Sequence, residues 1–308
     1  MTKISLSKRA TSILGLATVA LMVSGLVGCS SDAGATTDGA STAAKQDTIV
    51  LGADDGNEPH WQILKDKLAD EGIDLEVKTI TDGVQLNQGV KDGSLDINLF
   101  QHLIFLAQFN VDNNADLVPV GATAVYPLGL YSTEFDAVDK LPADAVVAVP
   151  NNPTNLARAL LNLQTAGLLT LKDGGNALST PADVVDSKVK VTPVDANQTV
   201  TALKDGSADA AVVNNVQAQR GGLTDGDIIF KEDINDPQLA PYINAFVTRA
   251  ELADDPRWTK LIEAYHSPEV EEAVSKLNDG NLVFKADWTQ AKLTEVLTGL
   301  ESDISAAK

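Results

Sequence analysis

The 308-residue chain has a single cysteine, Cys29, so no internal disulfide can staple it. Its three histidines, His60, His102 and His266, stand far apart, and with one thiol they offer no zinc-ligand spacing. Gly52 and Gly56 lack the following Lys and Ser/Thr of a phosphate-binding loop. No Gly-x-Ser-x-Gly nucleophile elbow occurs. Basic charge is scarce, with 23 Lys and Arg against 43 Asp and Glu, a net charge of −20. So acidic a surface argues against nucleic acid, and against acidic lipid headgroups, as partners. The adjacent acids Asp54-Asp55, Asp254-Asp255 and Glu271-Glu272 read as solvated surface, since 43 carboxylates produce such pairs by chance. No enzymatic activity, cofactor or metal is expected.

What is present begins with an address. Lys3, Lys8 and Arg9 precede an uncharged run from residue 10 to 28, which ends in Leu26-Val27-Gly28-Cys29. The run reaches bilayer-spanning length only if its Gly, Ser and Thr are counted. Residues 1–28 are therefore expected to be a cleaved signal peptide. Leu-Val-Gly-Cys resembles a bacterial lipobox, whose cysteine becomes the acylated N-terminus. Residues 29–46 then form the lipidated Cys29 and a small, polar, unpatterned tether. Acyl chains at Cys29 would hold the protein at the outer face of the cell membrane, stably only with more than one chain.

From residue 47 onward, short apolar runs alternate with helical patterns, the signature of an α/β architecture. Strands are expected at 48–53, 75–80, 97–100, 122–131 (punctuated by Pro127), 145–149, 189–191, 210–213 and 243–247. Helices are expected at 61–71, with Trp61, Leu64 and Leu68 on one face, and at 102–110, 154–165, 198–204, 257–266 and 269–277, with another ending before Gly93. One hexapeptide echoes: Lys91-Asp92-Gly93-Ser94-Leu95-Asp96 returns as Lys204-Asp205-Gly206-Ser207-Ala208-Asp209. In each copy Gly stops a helix at a left-handed cap and a strand follows. The copies are too distant for a solenoid repeat and suggest two similar lobes. Ligands of open α/β sheets bind beyond the carboxyl ends of strands. That directs attention to Phe100, Gln101 and His102 after one echo, and to Asn214 and Asn215 after the other.

The most informative run is Asn151-Asn152-Pro153-Thr154-Asn155-Leu156-Ala157-Arg158. A strand ends at Val149, and Thr154 or Asn152 can cap the helix that follows. A helix N-terminus favours a carboxylate, and Arg158, about one turn inside, can fork onto it with two hydrogen bonds. The pattern by itself fits equally an Arg on a solvated face paired with a surface acid.

Five segments together resemble the methionine-binding lipoproteins that serve bacterial methionine ABC importers, the NlpA lipoprotein family. They are Asn98-Leu99-Phe100-Gln101-His102, Val125-Tyr126-Pro127-Leu128-Gly129-Leu130-Tyr131-Ser132, the Val149 to Arg158 run, Gly167-Leu168-Leu169-Thr170-Leu171-Lys172-Asp173-Gly174, and Pro241-Tyr242-Ile243-Asn244. The resemblance implies a two-lobed periplasmic-binding-protein fold, type II-like, with an interlobe cleft. One lobe would comprise residues 47–125 plus 246–308, the other 126–245. It implies a free amino acid as ligand, with an ABC permease and its ATPase as partners. Carried over position by position, Phe100 and His102 wall the side-chain pocket, with Tyr126 beside them. Arg158 holds the ligand carboxylate, and Asn214 and Asn244 bond its polar backbone groups. Two departures stand out. Gly83 occupies a position where members commonly place an aromatic wall, leaving either room for a larger or more polar ligand or a gap that Asn57, Glu58 or Trp61 could fill instead, and Asn215-Val216-Gln217 replaces a Thr-Thr-Tyr-like run. These departures motivate two alternatives, a surface adhesin or sensor that keeps the fold, and a receptor for a short peptide. An enzyme on the same scaffold would need an acid beside His102.

Overall fold

The computed structural model describes residues 47–308. The expected signal peptide, Cys29 and the tether lie outside these residues. In chain order the strands are β1 (Asp47–Ala53), β2 (Ile73–Thr79), β3 (Ile97–Leu99), β4 (Leu117–Val125), β5 (Gly129–Tyr131), β6 (Ala145–Pro150), β7 (Leu169–Leu171), β8 (Val184–Ser187), β9 (Val189–Val194), β10 (Ala210–Val213), β11 (Ile228–Lys231), β12 (Ile243–Arg249) and β13 (Val283–Phe284). The helices are α1 (Pro59–Asp70), α2 (Gly83–Asp92), α3 (Leu103–Asn113), α4 (Pro153–Thr165), α5 (Thr199–Lys204), α6 (Asn215–Arg220), α7 (Arg257–Tyr265), α8 (Pro268–Leu277) and α9 (Gln290–Ala306).

The strands form two main sheets. The larger has the order β13-β4-β12-β3-β1-β2 and the smaller β11-β5-β10-β6-β9, while β7 and β8 pair separately. Within the larger sheet β1 runs parallel to β2 and β3, and β12 runs antiparallel to β3 and β4. Both faces are covered, which is why the central strands read as continuous apolar runs instead of alternating ones. One face packs under α1, α7 and α8 through Trp61, Leu64, Leu68, Trp258, Leu261 and Val270. The other packs under α2, α3 and α9 through Leu86, Val90, Leu103, Leu106, Leu293 and Leu297. The smaller sheet is likewise sandwiched, α4 contributing Leu160 and Leu163 on one side and α5 contributing Val200 and Leu203 on the other.

The echoed hexapeptides are equivalent in detail. Gly93 at φ 82° and Gly206 at φ 78° take the left-handed turn that a side chain would strain. The N–H of Ser94 donates to Asp92 Oδ1 at 3.0 Å, and that of Ser207 to Asp205 Oδ1 at 2.9 Å. Asp96 then locks onto β1: its N–H donates to Val50 O at 2.8 Å, and its Oδ2 accepts from Val50 N at 2.8 Å. Asp209 does the same to β6, donating to Val146 O at 2.8 Å and accepting from Val146 N at 2.7 Å. Even the next layer matches, since Thr248 Oγ1 donates to Asp96 O and Ser132 Oγ to Asp209 O. The chain has built the same helix-turn-strand staple once per sheet.

Two expectations change. The expected single strand at 122–131 is two strands in different sheets. Pro127, with no N–H to donate, falls between them where the chain crosses. The return crossing comes earlier than the expected boundary at 246. β12 already belongs to the larger sheet from Ile243, and Leu239 and Tyr242 before it are buried in the larger sheet's core.

A charge-assisted bond to a backbone N–H is worth about 1.5–3 kcal/mol. Asp96→Ala and Asp209→Ala should therefore each lower unfolding free energy by about that amount, to a similar extent in the two sheets. Urea unfolding followed by circular dichroism checks this, and a loss in only one of the two would refute their equivalence.

Candidate functional site

The carboxyl end of β1, the loop leading into α2 and the turn after β3 face the N-termini of α4 and α6 across a cavity of about 340 Å³. Phe100, His102, Tyr126, Arg158, Asn214 and Asn244 all border this one cavity. The turn after β3 is held by three buried amides. Asn87 Nδ2 donates to Gln101 Oε1 at 2.8 Å, Asn98 Nδ2 to Asn87 Oδ1 at 2.9 Å, and Gln101 Nε2 to Asn98 Oδ1 at 3.0 Å. With Gln101 tied inward, its neighbours Phe100 and His102 are carried to the cavity wall.

His102 caps α3, its Nδ1 accepting from Phe105 N at 3.2 Å. That bond leaves the proton on Nε2, which donates to Asn155 Oδ1 of α4 at 2.9 Å and so ties the two lobes across the cleft. Burial, and then the nearby Arg158 charge, push the imidazole down to about 4, so it is neutral near pH 7. Its ring meets Tyr242 edge-on at 5.4 Å, and no described carboxylate pairs with it.

Phe100 stacks edge-on against Phe105 at 5.6 Å. It also explains Gly83: a Cβ at position 83 would meet Phe100 Cε2 at 2.5 Å. The Phe100 ring therefore leans into the space over Gly83, where the resemblance expects a further aromatic wall. Asn57, Glu58 and Trp61 do not fill it. None of them borders the cavity, and Trp61 is in the core with its Nε1 donating to Asp55 Oδ1 at 2.9 Å.

Arg158 is only 6% exposed, which excludes the solvated-face reading. Its fork, however, already holds a carboxylate: Nε donates to Glu232 Oε1 at 2.9 Å and Nη2 to Glu232 Oε2 at 2.5 Å. Nη2 also donates to Tyr126 O at 2.8 Å, and the guanidinium lies 4.2 Å from the Tyr242 ring centre. Glu232 Oε2 in turn accepts from Leu128 N at 2.8 Å. Tyr126 and Leu128 belong to the first interlobe crossing, Glu232 and Tyr242 to the second. Arg158 thus pins both crossings. Nor do Thr154 and Asn152 cap α4: no side-chain cap bond forms, and Thr154 Oγ1 and Asn152 Oδ1 have no partner.

Asn214 caps α6, its Oδ1 accepting from Gln217 N at 2.8 Å, which leaves its Nδ2 for the cleft. Asn244 forms a backbone bridge to His102, and its carbonyl accepts from Thr123 Oγ1 at 3.1 Å. Burial and Asp55 hold the Tyr126 hydroxyl above its usual range. Asn215, Val216 and Gln217 also border the cavity. Asn215 Nδ2 reaches across to Asn281 O at 3.1 Å, and Lys231 Nζ meets Asn281 Oδ1 at 2.8 Å. Asp54 and Asp55, expected on solvated surface, are in the cavity wall, because β1 ends at the cleft.

Sandwiched sheets facing each other across a cleft of mixed polar and aromatic lining define a two-lobed binding fold. The model of the NlpA lipoprotein family matches residues 49–286. The chain is 39% identical over 239 residues to the D-methionine-binding lipoprotein MetQ of Escherichia coli strain K12, covering 76% of this chain and 86% of that protein. Among solved structures, protein PG110 from Staphylococcus aureus superposes with a TM-score of 0.76 at 32% identity, covering 82% of this chain and 99% of that one. A nutrient binding protein from Burkholderia cenocepacia bound to methionine superposes with a TM-score of 0.71 at 35% identity, covering 77% and 99%. This chain belongs to the NlpA lipoprotein family.

The neutral His102 has a pH consequence. Its folded value of about 4 lies below the ordinary 6.5, so the unfolded chain takes up the proton first as pH falls. Stability from this group is complete above about 6.5 and drains away between there and about 4. Between pH 7 and 4.5 the unfolding free energy of the wild type should fall by about 2 kcal/mol relative to that of His102→Gln. Parallel melting curves at the two pH values measure this difference of differences.

Proposed function

We propose that this protein captures an amino acid, methionine or a methionine derivative, in the interlobe cleft and delivers it to an ABC permease and its ATPase. It works without catalysis of its own, from a lipid anchor at Cys29 on the outer face of the cell membrane. The observation that carries this reading is the convergence of Phe100, His102, Tyr126, Arg158, Asn214 and Asn244 on one cavity, in a chain whose relatives include a D-methionine-binding lipoprotein. Phe100 and His102 form the wall for an apolar side chain. A neutral imidazole and an aromatic ring can contact a thioether favourably. Asn214 Nδ2 and the Asn244 side chain supply polar contacts to the ligand backbone, with Tyr126 completing the wall.

The carboxylate is received by Arg158 in a modified way. With Nε and Nη2 held by Glu232, the ligand meets Nη1 together with the uncapped N-terminus of α4, whose free N–H groups favour an anion. The Glu232 pairing fixes the guanidinium plane in advance, so little ordering cost accompanies binding.

Titration calorimetry of residues 47–308 against L- and D-methionine should show micromolar or tighter binding. A protein that binds neither at millimolar concentration does not have this function. Arg158→Met should lose at least tenfold in affinity and about 3–5 kcal/mol in stability, because Glu232 is left as an unpaired buried charge. Arg158→Met combined with Glu232→Gln should recover much of the stability and none of the affinity. For the anchor, wild-type protein should partition into detergent and Cys29→Ser should stay in the aqueous phase. Equal partitioning of the two would remove the acylation site.

A further inference from the structure

Helix α6 follows β10 of the smaller sheet, yet both of its ends hold the larger lobe. It is fixed at home first. Ala218 is buried in the core of the smaller sheet, with Leu223 just beyond the helix. Gln217 Nε2 donates to Asn197 Oδ1 at 2.7 Å, and Lys204 Nζ donates to Gly221 O. Gln217 lies in the run that departs from the family pattern, and here it ties the helix to the turn before α5.

The first residue of α6 stands on the turn between α8 and β13. Asn215 Nδ2 donates to Asn281 O at 3.1 Å. The Asn281 amide is held by the smaller lobe as well, its Nδ2 donating to Asp225 Oδ1 at 3.0 Å and its Oδ1 accepting from Lys231 Nζ at 2.8 Å. Next to it, Leu282 is buried in the core of the larger sheet. Val283 pairs with Val125 and Lys231 with Gly129, so this footing sits beside the first interlobe crossing, where a hinge moves least.

The last residue of α6 reaches elsewhere. Arg220 Nη2 donates to the backbone carbonyl of Asp54, at the carboxyl end of β1. In the larger sheet β12 and β3 stand between β1 and β4, so this contact lies away from the first crossing. Its target is firm. Ile80 N donates to Ala53 O at 3.0 Å, Glu58 N to Asp55 O at 2.9 Å, and Trp61 Nε1 to Asp55 Oδ1 at 2.9 Å. Charge favours the approach too. Burial and Asp55 push the Asp54 carboxyl up to about 7, and the Arg220 guanidinium pulls the other way. Arg220, Asp225, Lys231 and Asn281 all stand outside the lining of the 340 Å³ cavity.

We propose that Arg220 is the catch of the cleft: with α6 footed on the Asn281 turn, its guanidinium fastens the smaller lobe to the Asp54 turn and sets how long a ligand is retained without touching it. The inference rests on the reading of the cleft as the ligand site and names a positioning residue that this reading does not use. A grip made only when the lobes are together favours that arrangement over a parted one. It slows escape and leaves the first encounter alone. Because Arg220 is exposed, salt screens its share.

Release of radiolabelled L- and D-methionine from the full chain, chased with unlabelled methionine at about 0.02 M and about 0.5 M salt, tests it on wild type and Arg220→Gln. At low salt the variant should release roughly three- to tenfold faster, with association within about twofold of wild type. High salt should bring wild-type release toward that of the variant and leave the variant nearly unchanged. The exposed position leaves the core untouched, so the melting curve without ligand should match that of wild type. Equal release at low salt, a loss confined to association, or a ratio of rates that salt does not narrow overturns the inference and leaves the amino-acid reading intact. A wild type that binds neither enantiomer overturns both.

Discussion

The guanidinium of Arg158 is the point on which the two lobes are hung. It grips Glu232 with two bonds, touches the backbone of Tyr126 and covers the ring of Tyr242. Those partners come from the two stretches of chain that pass between the sheets, so one side chain on α4 sets their separation and keeps them together. Everything that borders the cleft inherits its position from that arrangement. β4 and β12 pair in the larger sheet immediately beside the crossings, and β5 and β11 pair in the smaller. Breaking a buried, hydrogen-bonded ion pair by removing one partner is far more costly than never having had it. The pin therefore constrains the geometry of this cleft more strongly than a direct share in ligand contact would suggest.

A second constraint is the repeated staple. Asp96 and Asp209 each tie the entry of a strand to the central parallel strand beside it. Both staples stand at the amino end of their strand, so the opposite ends are free to present loops to the cleft. The equivalence extends to a hydroxyl on a neighbouring strand in each sheet.

Much of this was legible in the residues. Hydrophobic alternation and the hexapeptide echo pointed to two similar lobes, and the Asn-Pro-Thr-Asn run left Arg158 open between a carboxylate site and a solvated face until the NlpA resemblance favoured the cleft. The NlpA resemblance added Asn244. What stayed hidden was long-range. Glu232 lies 74 positions from Arg158, and no local pattern announces that an acid after β11 will occupy the guanidinium. Pro127 marked a break but not a change of sheet. Asp54-Asp55 looked like surface because only the register of β1 brings its carboxyl end to the cleft. Helix α9 bears a readable stripe in Leu293, Leu297 and Ile304, yet it follows no long apolar strand and escapes a reading based on alternation.

The relation between Gly83 and Phe100 reaches beyond this chain's own geometry. A side chain at position 83 would enter the space that the Phe100 ring fills, so the ring would have to turn aside to admit it. Change at either position alone would then be disfavoured, whereas a coordinated exchange could pass almost unnoticed.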